Sequence, residues 1–356
     1  MIETTSKNQD IMLNENFKNQ IINCCIRVPT GDNCQPFKVQ FEHNELRIYY
    51  NNQIGKHILN FKDRSSLISY GCIKRIIDIV CSHHNLMPYF FEYMHEYTAK
   101  SHWATVKFQY QKRTAHPFLN EIQIRTTNRG KYEELDDYSA RKIETHLNDH
   151  FTLIRPSTQQ SDMILDNDKF LWKNPKAVKD LLKLTNFIIN KKRGFNYNNL
   201  YISYMHLPAL LSMKYLPFLG KIFWPIIKKV NKKTIHGSSL LIYTRECHSS
   251  KDYILMGEDC YENWLQMTRL GFSMQPISTS SLCINDLLES TDKKDFMFKI
   301  LLDRKSSMKN IFQLDKDITW SFRIGRPVKN NIMSERISIK EFTNPGHLSY
   351  SDLTKL

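Results

Sequence analysis

Residues 27–39 read RVPTGDNCQPFKV. A proline, a glycine and a run of small polar residues come first, and Gln35-Pro36-Phe37 leads into a strand-like stretch. Backbone-exposing residues of this kind suit two purposes. They make a plain helix-to-strand connection, or a loop whose amides face a ligand. Taken alone, the spacing favours the connection.

Upstream, Phe17, Ile21, Ile22 and Cys25 recur at helical spacing and predict a helix over residues 15–28. Downstream, Phe37, Val39 and Phe41 alternate with Lys38, Gln40 and Glu42. After EHNE, Leu46, Ile48 and Tyr50 alternate again, which predicts a hairpin. Ile68, Cys72, Ile76 and Val80 stand four apart, and Ile73 and Ile77 widen the apolar face. Residues 65–82 therefore predict a helix buried on most sides. Residues 104–111 read as a strand, and a break near His116-Pro117 opens a second half. There, 136–149 predicts an amphipathic helix, 239–243 a strand, 259–271 a helix and 319–324 a strand. The mix is α+β, without regular βαβ alternation.

The chain has 356 residues, 41% hydrophobic and 12% aromatic, enough for a sizeable core. Fifty Lys and Arg against 36 Asp and Glu leave a net charge of +14, which favours anionic partners such as phosphate groups, a membrane surface or nucleic acid. Eight cysteines lack CxxC pairing, and the first twenty residues lack an apolar signal region. Both point to reduced thiols in the cytoplasm. His83-His84 and Cys247-His248 are isolated pairs without zinc-site spacing, so no metal is expected. Only 11 glycines are present, and none forms GxGxxG or a P-loop. There is no GxSxG and no HExxH.

Residues 186–236 stand apart. NKKRG and KKVNKK flank a long apolar, aromatic segment interrupted by Pro208, Pro217 and Pro225 and by Lys214 and Lys221. Those residues argue against one straight membrane span. The segment reads first as a cover over a pocket, and second as a membrane-surface element through residues 201–227.

Four clusters suit a flat phosphorylated ligand. Pro29-Thr30-Gly31-Asp32-Asn33 allows close backbone approach. Arg125-Thr126-Thr127-Asn128-Arg129 can bring two guanidiniums to one phosphate near a helical turn. Leu270 to Pro276 ends a helix, and RIGRPV is followed by Ser334-Glu335-Arg336. Each has a structural reading on its own: a capped loop, a solvated basic run, helix punctuation and surface charge.

Together the four resemble the nitroreductase family of FMN-dependent proteins. The first cluster, through Gln35 and Phe37, is similar to that family's A-P-S-x-x-N-x-Q-P-W loop. Arg125, Thr127 and Arg129 match its R-x-[ST]-x-R motif. MGEDCYENWLQMTRLGFSMQPI is similar to the family helix ending in proline, here Pro276. The order differs from the usual one, since the P-T-G-D-N loop precedes the arginine motif. FKDRSSLISYGCIKRIIDIVCSHHNL also resembles the family's central helix. The chain thus resembles the Acg-like branch, with two nitroreductase-type halves in one chain. Thr30 replaces serine, Phe37 replaces tryptophan and Ser334 replaces a frequent lysine. The residues after Pro276, Ile277-Ser278-Thr279, lack an acidic group some members carry.

The resemblance implies a nitroreductase fold of two similar halves, residues 1–120 and 121–356, each a mixed, mainly antiparallel sheet flanked by helices. The halves would form a pseudo-dimer within a monomer, with the cover inserted at 186–236. It implies one FMN site. Pro29, Thr30, Gly31 and Asn33 would contact the ring side, with Gln35 and Pro276 beside them, and Arg125, Thr127, Arg129 and Arg336 would hold the phosphate. NAD(P)H would be the co-substrate, and a nitroaromatic or quinone the small-molecule acceptor. No residue is put forward as a catalytic acid or base. Two alternatives stay open: a non-catalytic FMN-sequestering or sensing protein, and a basic membrane- or nucleic-acid-binding adaptor. No RNA-binding signature is present, so nucleic acid is not expected.

Overall fold

Asn14 begins the first helix. Its side chain accepts from the Phe17 amide at 2.8 Å, and Phe17, Ile21, Cys24 and Cys25 of α1 (Glu15–Cys25) are buried. The helix stops short of residue 28. The amides of Arg27 and Val28 bond three residues back, and Pro29 disfavours helical backbone before it. The computed structural model describes residues 12–93, 101–188, 191–277, 281–294 and 296–344. Residues 1–11, part of the N-terminal reading, and Ser278 and Thr279 lie outside the described residues.

After the loop come the antiparallel pair β1 (Phe37–Glu42) and β2 (Glu45–Tyr50), with Glu42 opposite Glu45. A single turn, α2 (Asn52–Gly55), leads to the long α3 (Arg64–His83), then β3 (Leu86–Glu92) and β4 (Ser101–Tyr110). These strands form one antiparallel sheet in the order β1-β2-β4-β3. Fifteen residues of α3 are buried, as its wide apolar face requires.

α4 (Leu119–Ile124), β5 (Tyr132–Glu133) and α5 (Asp137–Glu144) precede β6 (Phe151–Ile154). A long excursion then holds α6 (Thr158–Trp172), α7 (Pro175–Lys183), the short parallel pair β7 (Thr185–Asn186) and β8 (Phe195–Asn196), α8 (Leu207–Tyr215) and α9 (Gly220–Ile235). The chain returns to β9 (Ser239–Tyr243), α10 (Ser250–Arg269) and β10 (Ser273–Pro276). α11 (Leu282–Ser290) and α12 (Phe296–Ile311) follow, then β11 (Trp320–Pro327) and α13 (Ile339–Phe342). The second sheet has the order β10-β11-β9-β6, with β5 also pairing with β11.

The two sheets repeat one plan. Strand, strand, helix, strand, strand is read as β1-β2-α3-β3-β4 and again as β6-β9-α10-β10-β11. In both, the spatial order is first, second, fourth, third, and every neighbouring pair is antiparallel. The two unit helices pack reciprocally. Gly71 and Gly257 each stand seven residues after their helix's first residue. A Cβ on Gly71 would lie 2.0 Å from the Ile254 carbonyl oxygen, and one on Gly257 would lie 2.1 Å from that of Ile68. Each glycine therefore faces the carbonyl three residues before the other. The main hydrophobic core includes residues of both sheets and both helices.

The excursion spans residues 155–238, wider than the expected cover of 186–236, because α6 and α7 belong to it. Pro208 and Pro217 open helical turns, while Pro225 sits inside α9. Among the described residues no helix is long and apolar enough to cross a membrane.

Candidate functional site

A cavity of about 570 Å³ opens at the seam between the two units, a size ordinary for small-molecule sites. One wall is the loop at Pro29–Asp32 and the first turns of α3, where Ser65, Ser66 and Ser69 face it. The opposite wall is Tyr261 and Trp264 of α10. Gln275 and Pro276 of β10 and Phe322 and Arg323 of β11 close one end. The excursion forms the cover with Phe195, Tyr201, Met213, Phe223 and Ile227.

The loop is conformationally costly. Asp32, Asn33 and Gln35 all have positive φ, at 50°, 53° and 53°, and none is glycine. Gly31 is not among the left-handed residues; it comes close to α3, where its Cβ would meet Ser65 Oγ at 3.2 Å. What holds the loop is a set of long-range hydrogen bonds. Asn33 Nδ2 donates to the carbonyls of Gly194 (3.0 Å) and Glu335 (3.1 Å), and Asn33 Oδ1 accepts from Arg336 Nη1. Gln35 Nε2 donates to Lys192 O at 2.6 Å, and Gln35 Oε1 accepts from the Ile337 amide at 3.0 Å. Arg193 adds a fork. Its Nη1 donates to the carbonyls of Cys34 (2.6 Å) and Gln35 (2.5 Å), and its Nη2 pairs with Glu341 at 2.7 Å. The loop, the cover and the segment before α13 are thus one clamp.

The arginine motif is not helical. Arg125 caps α4, Thr127 makes an isolated bridge to Met274 beside β10, and buried Asn128 turns the chain by bonding Lys329 O, Asn331 Oδ1 and the Gly130 amide. The two guanidiniums therefore enter different surroundings. Arg125 is 3% exposed and stacks on Trp264 at 4.4 Å. Its Nη2 donates to Arg27 O at 3.2 Å, while its Nε and Nη1 find no protein partner. Arg336 donates to the same carbonyl at 3.3 Å, and its Nε is also unpartnered. Burial, then the nearby charges of Arg125 and Arg27, bring Arg336 down to about 9. Arg129 stacks on Phe195 of the cover at 3.9 Å, and its Nη1 has no partner. Burial brings Arg129 down to about 10, opposed by the Asp32 charge.

Of the ten residues proposed from sequence, Pro29, Thr30, Gly31, Thr127, Arg129 and Pro276 line the cavity. Asn33, Gln35, Arg125 and Arg336 stand outside its lining. Sequence reasoning missed others. His57 Nε2 lies 3.1 Å from Asp32 Oδ2, and both residues face the cavity. His57 Nδ1 accepts from the Leu59 amide at 3.1 Å, which fixes the proton of a neutral ring on Nε2. Burial pushes the Asp32 carboxyl up, against the pull of His57 and Arg129. Arg323 is 2% exposed and donates to Gln275 Oε1 (2.9 Å) and Gly130 O (3.0 Å), tying β10 to the turn after Asn128. No motif in the sequence marks His57 or the Asp32 pairing. Trp264 had only its place on a helix face.

Buried cations with unpartnered N–H groups ask for an anion or water. The set here fits a phosphate-bearing ligand at its cationic end and an aromatic ring against Tyr261, Trp264 and the cover.

No family model matches the chain, and no curated protein matches it. Among solved structures it is similar to an FMN-dependent nitroreductase from Clostridium difficile R20291, at 13% identity and a TM-score of 0.34, over 63% of this chain and 96% of that one. It is also similar to a nitroreductase with bound FMN from Bacteroides fragilis NCTC 9343, at 12% identity and a TM-score of 0.31, over 66% of this chain and 98% of that one. Likenesses this shallow do not set the function, which has to be argued from the chain's own geometry.

Proposed function

We propose that the chain is an FMN-dependent oxidoreductase of nitroreductase type whose two ββαββ units imitate the two subunits of a dimer. One observation carries the reading. The cavity of about 570 Å³ lies at the seam of the repeated units, and unpartnered arginine N–H groups stand in and behind its wall. The reciprocal glycine contact supports the pseudo-dimer, because a two-fold interface requires that each partner meet the other in the same way.

FMN, when bound, supplies hydride chemistry between NAD(P)H and a nitroaromatic or quinone acceptor. The chain's own residues bind and orient. Arg129 and Thr127 hold the phosphate from the cavity wall. Arg125 and Arg336 add positive field from behind Tyr261 and Trp264. Pro29, Thr30 and Gly31 set the backbone against the ring. Asn33 and Gln35 act one step back, fixing the loop through the clamp. The His57–Asp32 pair places a protonatable group in the same cavity. The seven cysteines described are all free, in keeping with a cytoplasmic protein.

The clamp favours a second reading, in which the protein binds FMN without turnover because the cover stays closed. The visible spectrum of the purified protein, with identification of any chromophore released on denaturation, tests the flavin site. A colourless protein that takes up no added FMN ends both readings. NADPH oxidation with menadione then separates them: a loaded flavin that NADPH never bleaches leaves only the non-catalytic one.

A further inference from the structure

The most unusual surface of the molecule lies on the outer side of the cover. From Lys183 to Lys233 the chain carries ten basic side chains and no Asp or Glu. The same segment exposes large apolar residues. Tyr215 is 75% exposed, Phe218 53%, Ile222 64% and Ile226 50%, and Tyr204 and Met205 are exposed as well. On α9, Ile222, Pro225, Ile226, Lys229 and Lys233 follow helical spacing, and all five are exposed. An outer row thus runs from an apolar, aromatic end at the Pro217 turn to a basic end.

The lysines divide by role. Lys228 pairs with Asp166 at 2.5 Å and Lys232 with Asp162 at 3.0 Å, so the inner row is neutralised against α6. Lys221, Lys229 and Lys233 have no carboxylate partner among the described residues. The opposite side of α9, at Phe223, Ile227 and Val230, lines the cavity, and half-exposed Ile226 contributes to that lining as well, which leaves Ile222, Lys229 and Lys233 to the outer row.

We infer that this face docks on an anionic lipid bilayer, with Tyr215, Phe218 and Ile222 in the headgroup boundary and the outer lysines at the phosphates. An interfacial helix needs an apolar face, a lysine-rich flank and anionic lipid, and α9 with the turn before it supplies the first two. No described helix spans a membrane, so the contact lies on the surface rather than through it. A second copy of this chain fits less well, because an antiparallel two-fold contact would lay the basic end of each row on the apolar end of the other and leave the lysines without an anionic partner.

The test uses the full chain and co-sedimentation with vesicles of phosphatidylcholine, alone or mixed with phosphatidylglycerol, at low and high salt. Binding is expected only with phosphatidylglycerol and is expected to fall steeply with salt. Each lysine near such a surface is worth about fivefold, so Lys229→Glu with Lys233→Glu should weaken binding at least about 25-fold. Phe218→Ser with Ile222→Ser should weaken it at unchanged net charge. Both variants should keep the parent's circular dichroism and melting temperature, since these side chains point outward. Absence of binding at low salt, equal binding to pure phosphatidylcholine, or full binding by both variants would overturn the proposal. So would a lipid-free dimer in sedimentation velocity that the apolar variant dissolves, because the face would then belong to a second copy. None of these readouts depends on flavin.

Discussion

The two ββαββ units share strand order and a long central helix, yet they differ in what joins their strands. In the first unit, β1 turns into β2 through His43 and Asn44 alone. In the second, β6 reaches its partner β9 only after residues 155–238. The β10–β11 connection likewise holds α11 and α12. The plan is the same, but the second unit carries two long additions between its paired strands, while β1 and β2 of the first are joined by a two-residue turn. Strand pairing tolerates this because closing a longer loop costs free energy only logarithmically. The additions do not stay on their own unit. One reaches back to clamp the loop at Asn33 and Gln35, and the other reaches α3 at Arg64. Both additions therefore meet the first unit, one of them at the loop that lines the cavity.

The shared plan is tested hardest at the helix crossing. Gly71→Val or Gly257→Val would press a side chain into a backbone carbonyl that cannot rotate away. Each should destabilise the chain by about 3 kcal/mol, the upper end of what overpacking a buried contact typically costs when the backbone must move. Urea unfolding followed by circular dichroism measures it. If one of the two variants were fully stable, the reciprocity would be accidental.

Arg64 probes the added contact between units. Its Nη1 meets Asp286 at 2.6 Å, and its Nη2 meets Glu289, with both Arg64 and Asp286 nearly buried. At about pH 8, where Asp286 is ionised, Arg64→Met should cost about 3 kcal/mol by leaving that carboxylate buried without its partner. The pH dependence runs opposite to that of an ordinary ion-paired acid. Burial outweighs Arg64 and pushes Asp286 up to about 7 from its usual 3.8. The folded chain therefore keeps a proton that the unfolded chain releases. This contribution to stability is present at acid pH and falls as pH rises from about 4 to about 7. Asp286→Asn should flatten that slope in urea midpoints measured across the window. An unchanged slope would place the titration elsewhere.

Arg129 probes the asymmetry of the site itself, since the second unit supplies the R-x-T-x-R cations. Arg129→Gln should weaken FMN binding roughly thirtyfold, the worth of one charge-assisted hydrogen bond of about 2 kcal/mol. Fluorescence titration with FMN reads it. Unchanged affinity would move the phosphate to Arg125 and Arg336.

The difference between the units also explains what the sequence disclosed. The first unit is built from neighbours, so alternation predicted the β1–β2 hairpin and four-residue spacing predicted α3 nearly to its ends. The strand at 239–243 was legible as well, because periodicity is local. The helix expected over 259–271 begins at Ser250. Its start is set by a capping box, Ser249 with Asp252, one turn and more upstream of the apolar face that predicts the helix. The expectation that Arg125 and Arg129 share a helical turn met an extended segment pinned by Asn128, whose partners lie about two hundred residues away. Asn33 and Gln35 were read as ligand contacts from their loop, yet they bond to the cover and to residues before α13, 161 and 302 residues distant. Spacing along a chain carries no trace of such partners. The role of Gly71 and Gly257 was equally hidden, since a close crossing shows only when both helices are in place.

The smallest effect should fall on the clamp, and it bears on whether the cover opens. Arg193→Ala removes the bonds to Cys34 O and Gln35 O and the pair with Glu341, but it leaves the Gly194–Asn33 contacts and the Gln35–Lys192 bond. Glu341 is 35% exposed, so solvent offsets part of the loss of that pair. Local opening should become easier by about 1.4 kcal/mol, which is tenfold faster amide exchange at residues 192–196 with little change in melting temperature. Because the cover and the loop share this fork, FMN should also enter faster in the variant while equilibrium affinity shifts little. Stopped-flow mixing with FMN separates the two quantities. A variant with faster exchange but the same entry rate would mean that the ligand reaches the cavity by a route that does not lift the cover. The second unit's long excursion would then be a wall of the site rather than its door.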